Sequence, residues 1–225
     1  LGWELDQINT WWSKKEVKTY FKRLVKIESE SIGKNKLFND DFYPINNLYL
    51  LFAESKNKEF LSLELIENSS EAIALYKEII HLHHTLFDWF HDREIYHLVG
   101  YIFANETNRK SLDFYEIWTF WKNSSTRQVF VTKLKDEIKS YFIIEKSIVD
   151  YTNLQINWYE DKNDLLIKTL LLMDVIECLK ENKAFLPPLY FKKNLEDIEH
   201  IFPQNPKDKK NSEIVKYFNF LLKIG

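Results

Sequence analysis

Apolar residues recur at helical intervals along most of this 225-residue chain, and that spacing constrains the fold more than any other feature. Trp12, Val17, Tyr20, Phe21, Leu24 and Ile27 fall on one face of a helix expected from residue 5 to about residue 30, with Ser13 placed as an N-cap and Glu16 three residues on. A long helix opens at 68–71 and runs to about His91, with Leu75, Ile79, Leu82, Leu86 and Phe90 as its apolar face. Further helices are expected over 92–105, 111–122, 125–142 and 161–182. Residues 31–44 and 55–58, rich in polar residues or in Gly and Asn, read as loops. The Pro187-Pro188 pair cannot continue a helix and closes the last one. Beyond it the texture changes: Leu189-Tyr190-Phe191 and 195–202 are short, partly alternating and bounded by Asn194, Pro203 and Pro206, which reads as strand pieces. Helical spacing returns over 212–224. The expected architecture is mainly α: a multi-helix body over 1–186, then a different, mixed element over 187–225.

Composition narrows the class. With 45% hydrophobic and 16% aromatic residues the chain has ample material for a core and is not intrinsically disordered. Thirty-one basic against 34 acidic residues give a formal charge of −3, which argues against a surface coated with positive potential. The single cysteine, Cys178, has no intramolecular partner and sits among Leu170, Met173, Val175, Ile176 and Leu179, the setting of a buried, inert thiol in a reducing cytoplasm. The first residues lack the basic start and apolar run of a signal peptide. The apolar stretch 165–179 is interrupted by Lys168, Asp174 and Glu177, so a core helix is expected and no membrane span. A cytoplasmic protein follows from these readings. Position 1 is not methionine and the only methionine is Met173, so a segment of a longer protein is expected.

One short segment points to chemistry. Asp197-Ile198-Glu199-His200-Ile201-Phe202-Pro203-Gln204 sets an acidic residue directly before a histidine, inside an apolar stretch that ends at a proline three residues after the histidine. Hydrolysis of a phosphodiester needs a water that loses its proton as it attacks phosphorus, and a divalent cation that neutralises charge on the phosphoryl oxygens. A histidine suits the first task and a neighbouring carboxylate the second. Strand alternation would throw Glu199 and His200 to opposite faces, so a break or bulge at His200 is part of the expectation, with Pro203 ending the strand. The bland alternative is that His200 is an ordinary half-buried histidine.

The segment Glu199-His200-Ile201-Phe202-Pro203-Gln204 resembles the opening of the HNH, or ββα-metal, nuclease motif as it stands in GmrSD-type modification-dependent restriction endonucleases and their relatives. The apolar helix 165–179, the short linker after it and Ile95-Tyr96-His97-Leu98-Val99-Gly100-Tyr101 follow the family's order more weakly. The resemblance implies a helical region, 1–186, linking a nucleotide-binding domain to a nuclease domain, and a truncated HNH-like element over 187–225. It makes His200 the catalytic base, Glu199 a ligand to Mg²⁺ or another divalent metal, and Pro203 and Gln204 structural parts of the motif. It implies DNA as partner and substrate, a role in restriction or phage defence, and a nucleotide held by the absent N-terminal domain, whose Asp-Gly-Gln-Gln-Arg signature the chain lacks. The second strand and helix of an HNH site, with its Asn and further metal ligand, are not found here either, and Asn219 is not assigned that role. A metal with one carboxylate and at most one imidazole is under-coordinated, so this chain is expected to be inactive by itself. The competing expectation is a noncatalytic helical coupling or oligomerisation module.

Other clusters are weighed against plainer readings. Lys207, Lys209 and Lys210 follow His200 closely enough to meet a phosphate backbone, or they form a solvated loop. Lys14, Lys15, Lys18, Lys22 and Lys26 line one helix face, for which a solvated face is favoured over a nucleic-acid contact. His81, His84, Asp88 and His91 share a face opposite the apolar one, and a solvated polar face is favoured there over a metal site. Most tryptophans are explained by core packing. Trp11 and Trp12, adjacent on a helix, are not expected to face one core together, so one of them should meet another domain or a second copy in a homo-oligomer.

Overall fold

The computed structural model describes residues 2–22, 24, 44–56, 69–104, 112–144, 147–148, 163–180 and 185–191. Within them lie helices α1 (Gly2–Trp12), α2 (Lys15–Phe21), α3 (Asn46–Ser55), α4 (Ser69–His91), α5 (Arg93–Ala104), α6 (Phe114–Lys122), α7 (Arg127–Ser140) and α8 (Asn163–Lys180). A minimal antiparallel ladder pairs β1 (Ile143–Ile144) with β2 (Ser147–Ile148), and a single 3₁₀ turn spans Pro188–Phe191. The chain is therefore mainly α, as its periodicity predicts. None of these helices is long and apolar enough to cross a membrane.

Helix α5 is the hub. Every residue from Ile95 to Ala104 is buried, because α4, α7, α8 and the 3₁₀ turn all pack on it. A helix apolar on all sides can only be stable when enclosed in this way. Its start is fixed by Asp92, whose Oδ1 accepts the N–H groups of Glu94 (3.0 Å) and Ile95 (3.1 Å), two donors with no partner inside the helix. Arg127 at the start of α7 then grips the same carboxylate through Nε and Nη2 and reaches Glu94 at 3.0 Å, while Lys135 pairs with Glu94 at 2.8 Å. Burial would raise the Asp92 pKa, but the Arg127 and backbone hydrogen bonds outweigh it and hold the carboxyl below its ordinary value. Helix α6 opens with a reciprocal capping box between Asp113 and Glu116, and α7 with Thr126 accepting the Val129 N–H.

Four expectations are revised. The first helix is two: α1 ends at Trp12, Lys14 adopts an extended conformation (φ −63°, ψ 133°), and α2 begins at Lys15. Ser13 is not a cap, since its hydroxyl donates to the Thr10 carbonyl at 2.7 Å. That corner also revises the tryptophan pair. With the helix ending at Trp12 and the chain turning back, Trp11 and Trp12 are both buried, edge to face at 5.2 Å, and Phe21 of α2 packs on each. Trp12 is fully enclosed, and Trp11 is buried against the same core. Thirdly, Ser55, expected to open a loop, closes helix α3, an element for which nothing was expected and which packs on α4 and α6. Lastly, Leu189-Tyr190-Phe191 is no strand: Tyr190 donates its N–H to the Pro187 carbonyl at 2.8 Å, closing a tight turn that drops Phe191 into the core.

Candidate functional site

Residues 185–191 form a strap across α5, and the most elaborate polar chemistry of the described residues holds it there. Tyr96 and His97, consecutive in α5, grip the backbone of one residue from both sides. The Tyr96 hydroxyl donates to the Leu186 carbonyl at 2.7 Å, and the Leu186 N–H donates to His97 Nε2 at 3.1 Å. Because Nε2 accepts, the ring's single proton lies on Nδ1, which donates to the Arg93 carbonyl at 2.7 Å. Burial pushes the His97 pKa down and the nearby Arg93 charge adds to this, against the opposing effect of the Arg93 carbonyl, so the ring is neutral in this setting.

Aromatic contacts complete the grip. Phe185 stacks on His97 (5.6 Å between centroids, 27° between planes), and the Arg93 guanidinium lies 5.6 Å from the Phe185 ring centre while donating to the Cys178 carbonyl of α8 at 3.2 Å. Phe191 fills the place a side chain at position 100 would take: a Cβ on Gly100 would come within 2.8 Å of its ring. Tyr20 of α2 stacks on Tyr96 at 4.5 Å and donates its hydroxyl to the Tyr96 carbonyl at 2.8 Å, so α2 braces the gripping residues from behind. On the far side Tyr190 hydrogen-bonds Asp174 of α8, whose carboxyl is raised above its ordinary pKa by burial.

The strap is also one wall of a groove of about 520 Å³. Trp11 and Val17 of the α1–α2 corner, Phe90 at the end of α4, Tyr96, and residues 185–188 form its apolar lining, with Lys14, Glu16 and His91 as its polar members. Lys14, Glu16 and His91 are exposed. The groove therefore offers aromatic surface and mixed charge, with no nucleophile and base held together.

A second buried histidine stands nearby. His83 of α4 accepts the Trp12 indole N–H on Nδ1 at 3.3 Å and lies edge to face with Trp11 at 5.3 Å. Burial, reinforced by the neighbouring His84, lowers its pKa to about 4. By contrast His81, His84, Asp88 and His91 are exposed along one side of α4, as a solvated face requires. His91 Nδ1 is engaged with the Phe87 carbonyl at 2.7 Å. No three His, Cys, Asp or Glu side chains among the described residues are grouped to hold a metal ion. Of the expected lysine face, Lys15 of α2 and the flanking Lys14 and Lys22 are exposed and Lys18 is half-buried; Cys178 is buried, as expected.

Glu199, His200, Pro203, Gln204, Lys207, Lys209 and Lys210 lie outside the described residues, as do Lys26 and Asn219. What sequence reasoning did not find is the role of Tyr96, His97, Gly100 and the strap itself. The available signals were a histidine and a glycine inside an otherwise apolar helix, neither of which has an obvious use until another segment approaches. No family model, characterised protein or solved structure matches this chain.

Proposed function

We propose that this chain serves a metal-dependent DNA endonuclease of a restriction or phage-defence system, with His200 taking the proton from the attacking water. The observation that carries the reading is the run Glu199-His200-Ile201-Phe202-Pro203-Gln204, set after a helical body and shortly beyond the strap. Glu199 is a hard oxygen donor of the kind Mg²⁺ takes, and one carboxylate does not fill a near-octahedral shell, so it would share the ion with further ligands. When bound, such an ion neutralises charge on the phosphoryl oxygens. Lys207, Lys209 and Lys210 would contact the DNA backbone, and Pro203 and Gln204 would shape the loop. A nucleotide-binding domain is the neighbour this reading calls for.

The test is DNA nicking by the natural full-length protein in Mg²⁺ or Mn²⁺. His200→Ala is expected to lower the rate by about 10²–10⁴-fold, the usual worth of a general base, with DNA binding retained. Cleavage unchanged in that variant would overturn the assignment. A second reading, a noncatalytic coupling module between a nucleotide-binding domain and a nuclease, is favoured by one observation: the strap that leads into residues 192–225 is clamped to α5, the helix on which α4, α7 and α8 pack. In that case His200→Ala leaves cleavage intact, and variants at Tyr96 or His97 alter its dependence on nucleotide.

A further inference from the structure

We propose that His97 is a proton-released latch: the neutral ring clasps the 185–191 strap to α5, and protonation at Nε2 lets it go. The inference stands on the geometry of the clasp and does not depend on what residues 192–225 do. A neutral imidazole has one acceptor, and here that acceptor is spent on the Leu186 N–H. The ring's other nitrogen is already committed as a donor to the Arg93 carbonyl, so the ring cannot answer a proton at Nε2 by exchanging tautomers. A protonated ring sets N–H against N–H, and the Leu186 donor loses its partner in a half-buried position.

The surrounding charges favour release. From α5 itself the Arg93 guanidinium bears directly on the ring and repels a second positive charge. From α8 the side chains of Asp174 and Cys178 face Tyr190 of the strap, and Asp174 is hydrogen-bonded to it. From α2 Tyr20 meets Tyr96, while Lys14, Glu16 and His91 line the groove. From α7 Arg127 and Lys135 are paired with Asp92 and Glu94. No carboxylate among the described residues acts on His97 to hold a proton there. Beside this bond the strap is held by the Tyr96 hydroxyl on the Leu186 carbonyl, by Tyr190 on Asp174 and by the buried ring of Phe191, while Phe185, Leu189 and Tyr190 are exposed, so the Leu186 N–H contact fastens its N-terminal end. Release loosens residues 185–188, which form one wall of the groove, while Phe191 stays seated against Gly100.

Hydrogen exchange on the whole chain, followed residue by residue by NMR from about pH 7.5 down through the titration of the His97 ring, tests this, with rates expressed as protection factors to remove the intrinsic effect of pH. The Leu186 amide is expected to lose protection by about tenfold or more as the His97 ring titrates, while amides of α6 and α7 keep theirs. In His97→Gln the side-chain amide oxygen accepts the Leu186 N–H without titrating, and protection there should not vary with pH. Constant Leu186 protection while the ring titrates would overturn the latch. So would the same pH-dependent loss in His97→Gln, or loss of α6 and α7 protection in the same step. Should His97→Gln not fold, the wild type decides: ring ¹⁵N shifts and the Leu186 amide shift must share one midpoint, and separate midpoints refute the proposal.

Discussion

Toward α6 and α7 the core is a dry stack of rings. Trp89 lies parallel to Phe130 at 5.1 Å, Trp121 stands edge-on to both, and Trp118 and Phe114 close the cluster. Trp89 Nε1 is buried with no hydrogen-bond partner among the described residues. Toward α1, α2 and the strap the rings are equally crowded, but their polar atoms are paired: Trp12 with His83, Tyr20 with the Tyr96 backbone, Tyr96 and His97 with Leu186. The first region is held by shape and by apolar area removed from water, neither of which depends on protons. The second spends its histidines as neutral acceptors, so the same aromatic packing becomes conditional on pH. One helix, α4, contributes Trp89 to the first region and His83 to the second.

The sharpest way to break this comparison is to remove the keystone of the dry side. Trp89→Ala should cost about 3–5 kcal/mol of stability, the range for emptying a buried aromatic site, and the loss measured by urea unfolding should be the same at neutral and mildly acidic pH. A loss that changes with pH would show that the two regions are not separable. Next comes His83, whose pKa falls to about 4 in the folded protein against an ordinary value of 6.5. Below 6.5 the unfolded chain binds a proton that the folded protein refuses until about pH 4, so stability declines as pH falls through that window and is level beneath it. A shift of that size corresponds to about 3 kcal/mol, and His83→Gln should flatten this part of the unfolding profile. A slope unaltered in that variant would move the pH sensitivity elsewhere. The smallest effect is expected from Gly100→Ala. The new methyl displaces Phe191, while alanine favours the helix by about 1 kcal/mol, so the net change should stay within about 1–2 kcal/mol. Its signature is faster exchange at Phe191 with the Trp89 cluster untouched.

How much of this was legible depended on whether the deciding contact was local. Helices α4 to α8 announced themselves because their apolar residues recur at helical spacing and because Asp, Asn or Ser residues stand at or near the start of each. Helix α3 did not, since the segment is only ten residues long and buries Asn46, Asn47, Glu54 and Ser55 beside its apolar residues, so its polar residues do not mark a solvent face. The break between α1 and α2 was hidden because Trp12, Val17, Tyr20 and Phe21 continue a helical period across it, and neither Gly nor Pro marks the corner. Three residues, 189–191, are too few for alternation to tell a strand from a 3₁₀ turn. What settles them is the hollow left by Gly100, far away in sequence. The clasp was illegible for the same reason: Leu186 lies 89 and 90 positions from the two residues that hold it. The Glu199-His200 motif, by contrast, was read from its local pattern alone, and it lies outside the described residues.

The hold on Leu186 falls on its amide N–H and its carbonyl, from two neighbouring side chains of one helix turn. It is the handshake a sheet edge offers an incoming strand, performed here by a phenol and an imidazole. Such a grip registers the chain by its backbone at position 186, leaving the leucine side chain free to pack against the core, so polar residues and proline are the substitutions that position would not accept.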